Sequence, residues 1–179
     1  MILKKEIEEK LSHLYKKRFN YMGRAASLLW LGFGDMVERV DRKNNKSMVA
    51  YYSLHVQCPW RLSSKNEIIV GSQDYYYPNQ KWLKDKGFSD IDAKWEDVFE
   101  WDKIGSNIFD EKAQIISEQA ENNPIFVEKI EADNLGGVKL SLSNGFVFEI
   151  FPNDSLKEES WRFFTQNPDE PHYVVFEEE

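Results

Sequence analysis

The residues best suited to nucleophilic chemistry lie in one short stretch, Leu54–Leu62, which contains both His55 and Cys58. A cysteine–histidine pair acts as nucleophile and base only when the two side chains come within hydrogen-bonding distance. Side chains three residues apart on an extended strand point to opposite faces of the sheet. The spacing therefore predicts a buried Cys58 and a half-exposed, hydrogen-bonded His55, and it argues against a thiol enzyme.

No other pattern in the sequence indicates a catalytic, metal or cofactor site. The three histidines, at positions 13, 55 and 172, have no close partner, and a lone cysteine excludes both an intrachain disulfide and a paired-cysteine zinc site. Neither Gly32–Gly34 nor Gly136-Gly137 has the spacing of a phosphate-binding loop. We therefore predict no catalytic residue, no metal ligand and no cofactor.

Tryptophan and carboxylate side chains are concentrated between Asp90 and Glu111, within a long segment (72–109) that shows little regular pattern. Long irregular segments inside compact domains are often functional. Tryptophan is favoured in the energetic centres of protein interfaces, and carboxylates complement a cationic partner. The sequence predicts that a protein partner binds this segment, through Trp95, Asp97, Glu100, Trp101 and Asp102.

A second candidate surface lies in the stretch Leu54–Leu62 that contains His55 and Cys58. It consists of His55, Gln57, Trp60 and Arg61. Arginine and tryptophan are both favoured in interface hot spots. An equally simple interpretation of Trp60 and Arg61 is structural, with the indole in the core and the guanidinium paired to a local carboxylate.

Charge is unevenly distributed along this acidic chain, whose net charge is −8. Residues 1–89 carry 16 basic and 9 acidic side chains, whereas residues 90–179 carry 7 and 22. Nucleic-acid binding requires clustered cations, and the sequence has neither a signal-peptide core nor a membrane-length apolar run. We predict a cytoplasmic protein that binds neither nucleic acid nor membrane.

Hydrophobic periodicity predicts the elements of the first half. A stripe with helical spacing indicates a helix over 1–18, the apolar run 25–33 is typical of a central strand, and 41–46 reads as a hairpin loop. The next strand, 47–58, alternates so that one face should meet the core, and a short strand follows at 67–71. The helical stripe is Leu3, Ile7, Leu11 and Leu14; the core face of the strand is Met48, Ala50, Tyr52, Leu54, Val56 and Cys58.

In the second half, a short helix around Trp95, with Asp92 as a possible cap, precedes a helix over 109–122 capped by Asp110. Two strands then flank Ser143–Gly145. A three-residue loop places six apolar side chains on one face, whereas a two-residue loop would put Glu149 there. Further strands are predicted at 126–132, 161–164 and 172–176. The predicted fold is one α+β domain, 1–179, with an antiparallel meander (125–176 in the C-terminal part) and the two helices packed on one face.

Two stretches, Leu54–Leu62 and Ser143–Pro152, together with Glu159–Phe164, resemble small uncharacterised bacterial proteins, some of which are similar to immunity proteins of polymorphic toxin systems. The resemblance extends from about Ser27 to Phe164. It implies tight binding to a cognate toxin, and it assigns no binding residue.

We therefore expect a non-catalytic protein-binding protein, plausibly an immunity factor that neutralises a cationic toxin. Two alternatives stay open. One is a carboxylate-dependent hydrolase with its site in the loop at 72–110, which would contain a carboxyl group of raised pKa in an aromatic pocket. The other is a structural or regulatory subunit that forms a homodimer or larger homo-oligomer.

Overall fold

The computed structural model describes residues 2–41, 43–89, 93–156 and 158–176. One antiparallel sheet of ten strands dominates the architecture, and three α-helices accompany it. The helices are α1 (Ile2–Leu11), α2 (Gln80–Lys86) and α3 (Ile108–Asn122). The strands are β1 (Arg18–Ala25), β2 (Leu28–Val40), β3 (Lys46–Val56), β4 (Trp60–Ser63), β5 (Ile68–Gly71), β6 (Ile125–Ala132), β7 (Val138–Leu142), β8 (Val147–Ile150), β9 (Trp161–Thr165) and β10 (Tyr173–Val175).

The strand order is β10-β9-β3-β2-β1-β6-β7-β8-β4-β5, which joins two three-stranded meanders through the pair β1–β6. The predicted α+β class, with an antiparallel sheet and helices on one face, is confirmed. Strands β9 and β10 do not continue the C-terminal meander, because β9 pairs with β3 on the opposite side of the sheet. The indole Nε1 of Trp161 donates to the carbonyl oxygen of Gly136 at 2.8 Å, so the sheet curls until β9 meets the β6–β7 turn.

The N-terminal helix is shorter than its apolar stripe suggests. It ends at Leu11, and a 3₁₀ turn over Ser12–Leu14 completes the helical segment before β1 begins at Arg18. The stripe itself is confirmed, since Ile7, Leu11 and Leu14 are fully buried in the core. Residues 15–17 therefore connect the helical segment to the sheet instead of extending the helix.

The apolar run 25–33 contains a turn that sequence periodicity did not predict. Strand β1 ends at Ala25 and β2 starts at Leu28, with Ala26 in the left-handed region at φ 51°. The pairs Ala25–Leu28 and Arg24–Leu29 close a tight hairpin. The turn residues, Ala26 and Ser27, include no glycine, proline, asparagine or aspartate, so the two strands look like one long apolar strand, which is why the prediction was wrong here.

The hairpin of β7 and β8 has the predicted register. Leu140 pairs with Phe148 and Val138 with Ile150, and the amide of Leu142 donates to the carbonyl oxygen of Phe146 at 2.8 Å. Gly145 has φ +84°, the left-handed conformation that the three-residue loop requires. The argument from one shared apolar face is therefore confirmed.

Strands β2 and β3 extend beyond the rest of the sheet as a two-stranded arm. Pairing of β1 with β2 ends at Phe33, and pairing of β9 with β3 ends at Tyr52. Met48 is consequently exposed although it was predicted to face the core, while Ala50, Leu54 and Val56 are fully buried as predicted. The loop between the two strands lies where the polar segment 41–46 placed it. Within the described ranges, no helix is both long and apolar enough to cross a membrane.

Candidate partner-binding surfaces

The segment between β5 and α3 is folded against the core, although it is mostly irregular. It contains a 3₁₀ turn (Ser72–Tyr76), helix α2 and a second 3₁₀ turn (Ala93–Asp97). Helix α2 was not predicted, because its seven residues bury only Leu83 and leave no apolar period to detect. The predicted short helix around Trp95 is present as a 3₁₀ turn, and its suggested cap, Asp92, lies outside the described residues.

Two buried asparagines hold this segment in place. The Asn79 side chain accepts from the Trp82 amide at 2.8 Å and donates to the carbonyl oxygens of Gly105 and Asn107 at 3.0 and 3.2 Å. The Asn107 side chain donates to the carbonyl oxygen of Trp101 and accepts from the Asp110 amide. Asn107 is therefore the N-terminal cap of α3, and the prediction that Asp110 caps this helix is wrong.

Asp110 instead forms a buried ion pair with Arg24 of β1. The guanidinium donates two parallel hydrogen bonds to the carboxylate, at 2.6 and 2.8 Å, and the side chains are 1% and 9% exposed. Arg24 also donates to the carbonyl oxygen of Lys103, and the Gly105 amide donates to Asp110. These bonds join the segment, the first helical turn of α3 and the centre of the sheet into one unit.

The solvent side of this segment is rich in carboxylates and apolar groups. Asp97, Glu100 and Asp102 are exposed, and Val98 and Ile104 are 55% and 71% exposed. Trp95 and Trp101 are half-buried, with ring contacts to Tyr77 (6.2 Å between centroids) and Tyr76 (5.1 Å). We call this the acidic aromatic surface and define it as Trp95, Asp97, Val98, Glu100, Trp101, Asp102 and Ile104. Five of the nine predicted partner-binding residues belong to it.

His55 lies elsewhere, on the face of the sheet opposite the helices. In register, Trp30 of β2 pairs with His55 and His55 pairs with Arg162 of β9. The Phe164 ring lies edge-on to His55 at 4.8 Å and stacks on His172 at 4.3 Å. Arg162 is held by Glu159 through two hydrogen bonds, from Nε at 2.6 Å and from Nη2. We call His55, Glu159, Arg162, Phe164 and His172 the His–Arg cluster.

The electrostatics of this cluster favour a neutral His55 imidazole. Arg162 Nη1 also lies 3.3 Å from His172 Nδ1. Burial lowers the pKa of His55, and the nearby Arg162 and His172 lower it further. Hydrogen bonds from Arg162 and Gln57 help to lower the pKa of Glu159, which places the predicted residue Gln57 beside this cluster.

Acidification is expected to destabilise the fold through His55. An unfolded histidine titrates near pH ~6.5, so the neutral folded imidazole contributes fully above that pH, and its contribution is lost as pH falls through the lowered pKa. Charged and titratable neighbours on β2, β9 and the loops are Arg39, Arg162, Glu159 and His172. Urea unfolding should show that His55→Gln loses less stability than the wild type as the pH falls below about 6.5. Parallel profiles for the two proteins would contradict this assignment.

Trp60 and Arg61 occupy structural positions. Trp60 is 2% exposed, stacks on Phe148 at 5.4 Å and donates its Nε1 proton to the Tyr75 hydroxyl at 3.2 Å. Arg61 points away from the core and pairs with Glu149 at 2.7 Å. Because its ring lies inside the core, Trp60 does not present a surface to a partner. These contacts agree with the structural interpretation of Trp60 and Arg61, in which the indole lies in the core and the guanidinium pairs with a local carboxylate.

The chemistry considered for Cys58 is also disfavoured. The thiol is buried, and burial raises its pKa to about 12, so the nucleophilic thiolate is not populated near neutral pH.

Lowered carboxyl pKa values occur at Asp41, Glu131, Glu159 and Glu170, where hydrogen bonds favour the ionised form. All four lie outside 72–110, so these shifts give the hydrolase hypothesis no support. Within the described ranges, no three His, Cys, Asp or Glu side chains are arranged to hold a metal ion.

Sequence reasoning missed Glu159, Phe164 and His172 as neighbours of His55. These residues come from β9 and the adjoining loops, which are distant from β3 in the chain. The sequence contains the dipeptide Trp-Arg twice, as Trp60-Arg61 and as Trp161-Arg162, but this repetition does not reveal the cluster. Arg61 pairs with Glu149, whereas Arg162 pairs with Glu159 beside His55.

Comparison with known proteins adds no assignment. No family model matches the chain, and no curated protein or solved structure is significantly similar to it.

Proposed function

We propose that this chain is a non-catalytic, cytoplasmic protein-binding protein, an immunity factor that neutralises a cationic toxin by covering it. One observation carries the proposal. The acidic aromatic surface is exposed, and its backbone from Trp101 to Gly105 is held by hydrogen bonds with the largely buried side chains of Arg24, Asn79, Asn107 and Asp110. A surface whose backbone is already ordered loses little conformational entropy on binding.

The composition of this surface suits a basic protein. Half-buried Trp95 and Trp101 provide rigid aromatic contact area. Val98 and Ile104 provide exposed apolar surface that a partner can bury. Asp97, Glu100 and Asp102 add negative charge to the same stretch, and Lys103 pairs with Glu100 at 3.8 Å. A net negative charge accelerates encounter with a cationic partner and orients it. The resemblance of Leu54–Leu62 and Ser143–Pro152 to immunity-type proteins points to the same class of partner.

The cytoplasmic location follows from the toxin proposed and agrees with the cysteine chemistry. A single buried thiol with a raised pKa neither forms an intrachain disulfide nor reacts readily.

The direct test of the proposed function is co-expression with the product of the neighbouring gene, followed by purification of a one-to-one complex. Failure to protect cells and failure to bind that product would together overturn the proposal.

Neutralising the carboxylates of the surface is expected to slow association. The variant Asp97→Asn/Glu100→Gln/Asp102→Asn should bind its toxin with an association rate lower by about tenfold at low salt, and with weaker salt dependence. Surface plasmon resonance at several salt concentrations measures both quantities. The matched control is Glu9→Gln/Glu67→Gln/Glu128→Gln, which removes three exposed carboxylates on other elements. Equal rates for the two triple variants would place the interface elsewhere.

A further inference from the structure

A concave cleft lies between the N-terminal helical segment and the loop that joins β9 to β10. Its volume is about 370 Å³, within the range of small-molecule sites. The cleft is separate from the acidic aromatic surface, so an occupant here does not depend on the proposed toxin complex. Aromatic side chains form its walls, and a few polar groups converge at its mouth.

One wall is a continuous stack of three rings. His13 lies parallel to Tyr52 with 6.4 Å between centroids, and Tyr52 lies parallel to Phe163 at 5.9 Å. Tyr51 meets Tyr52 edge-on at 4.9 Å. Tyr173 of β10, opposite Phe163 in register, completes the wall. These rings give the cleft an aromatic wall against which a planar ring can pack edge-on.

The loop side of the cleft presents a fixed negative charge. Thr165 Oγ1 donates to one carboxylate oxygen of Glu170 at 2.6 Å, and Asn167 Nδ2 donates to the other at 3.2 Å. These hydrogen bonds lower the pKa of Glu170, so the group is ionised at neutral pH. Each oxygen retains a lone pair that can accept from a ligand ammonium group.

The helix side presents positive charge. Lys10 and His13 both line the cleft, and the Lys10 ammonium group forms no ion pair with any described residue. Neighbouring Lys4, in contrast, pairs with Glu8. A carboxylate entering beside Lys10 would therefore find a cation without displacing an existing ion-pair partner.

We propose that this cleft binds a small zwitterion with a flat aromatic body, the chemistry of an aromatic α-amino acid. The ring packs against Tyr51, Tyr52 and Tyr173, the ammonium group meets Glu170, and the carboxylate meets Lys10. Ligands that carry only one of the two charges satisfy one side of the cleft and leave the other side unused.

Three probes that share one ring distinguish these contributions: L-tryptophan, tryptamine and indole-3-propionate. Binding is measured by NMR titration of the full chain, with tryptophan expected to bind more tightly than either singly charged probe. Glu170→Gln should weaken tryptophan and tryptamine by about three- to tenfold and leave indole-3-propionate unchanged. Lys10→Met should weaken tryptophan and indole-3-propionate and leave tryptamine unchanged.

The controls are Lys5→Met on the same helix and Asp169→Asn on the same loop, both at exposed positions. Neither control should alter the affinity for any probe, and circular dichroism checks that all four variants fold. Absence of binding by all three probes would overturn the proposal. Equal affinity for tryptophan and one singly charged probe would overturn it as well, because one of the two charged sides would then be unused.

Discussion

Replacing Asp110 with alanine is expected to lower the free energy of unfolding by about 3–5 kcal/mol, because the substitution leaves the buried Arg24 guanidinium without its counter-charge. Both side chains are almost fully removed from solvent, and their two hydrogen bonds measure 2.6 and 2.8 Å. The amide of Gly105 also loses its acceptor. Urea denaturation followed by tryptophan fluorescence measures the effect.

A double variant separates the ion pair from simple loss of packing. In Arg24→Met/Asp110→Ala the unpaired charge is gone, so the destabilisation should fall short of the sum of the two single variants by at least about 1 kcal/mol. The control is Glu149→Ala, which breaks the partly exposed pair with Arg61 and should cost less than about 1 kcal/mol. Strictly additive effects at Arg24 and Asp110 would contradict the role assigned to their pairing.

The second large effect is expected at Trp60. Its ring is enclosed by Phe148, Tyr75 and Phe109 at centroid distances of 5.4, 6.0 and 5.7 Å. Trp60→Ala should destabilise the protein by about 3–5 kcal/mol through lost burial and the cavity that remains. Trp60→Phe keeps an aromatic ring but leaves the buried Tyr75 hydroxyl without its donor, at a cost of about 1–3 kcal/mol.

The adjacent residue is the natural comparison for Trp60. Arg61→Ala removes a partly exposed ion pair, and its change in unfolding free energy should stay below about 1 kcal/mol. Chemical denaturation of the three variants therefore tests whether the two neighbours have different roles. A stable, folded Trp60→Ala protein would mean that the ring is not part of the core in solution.

Local patterns predicted those parts of the fold whose partners are close in sequence. The register of β7 and β8 followed from one shared apolar face, and the burial of Ile7, Leu11 and Leu14 followed from their helical spacing. The turn at Ala26-Ser27 contains no glycine, proline, asparagine or aspartate, so it was missed. The position of β9 beside β3 depends on tertiary packing, which periodicity does not encode.

The same limit applies to the candidate sites. The acidic aromatic surface is contiguous in sequence, so Trp95, Asp97 and Glu100 could be grouped before the fold was known. The aromatic cleft brings His13, Tyr52 and Glu170 together from three distant segments, and no spacing rule connects them. Asp110 was assigned as a helix cap because a carboxylate near a helix start usually serves that purpose. Its partner Arg24 lies two residues before the turn at Ala26-Ser27, which the sequence pattern did not reveal.

The strand order also determines when each strand finds its neighbours during synthesis. The hairpins of β1, β2 and β3 can form as soon as residue 56 has left the ribosome. The outer partner of β1 is β6, and that of β3 is β9, which starts only at Trp161. The β1 edge therefore stays unpaired until β6 (Ile125–Ala132) has been synthesised, and the β3 edge until β9 (Trp161–Thr165) has been synthesised. Unpaired edges are where chains aggregate. Slower elongation after residue 56 would lengthen that exposure, and faster completion of the C-terminal strands would shorten it.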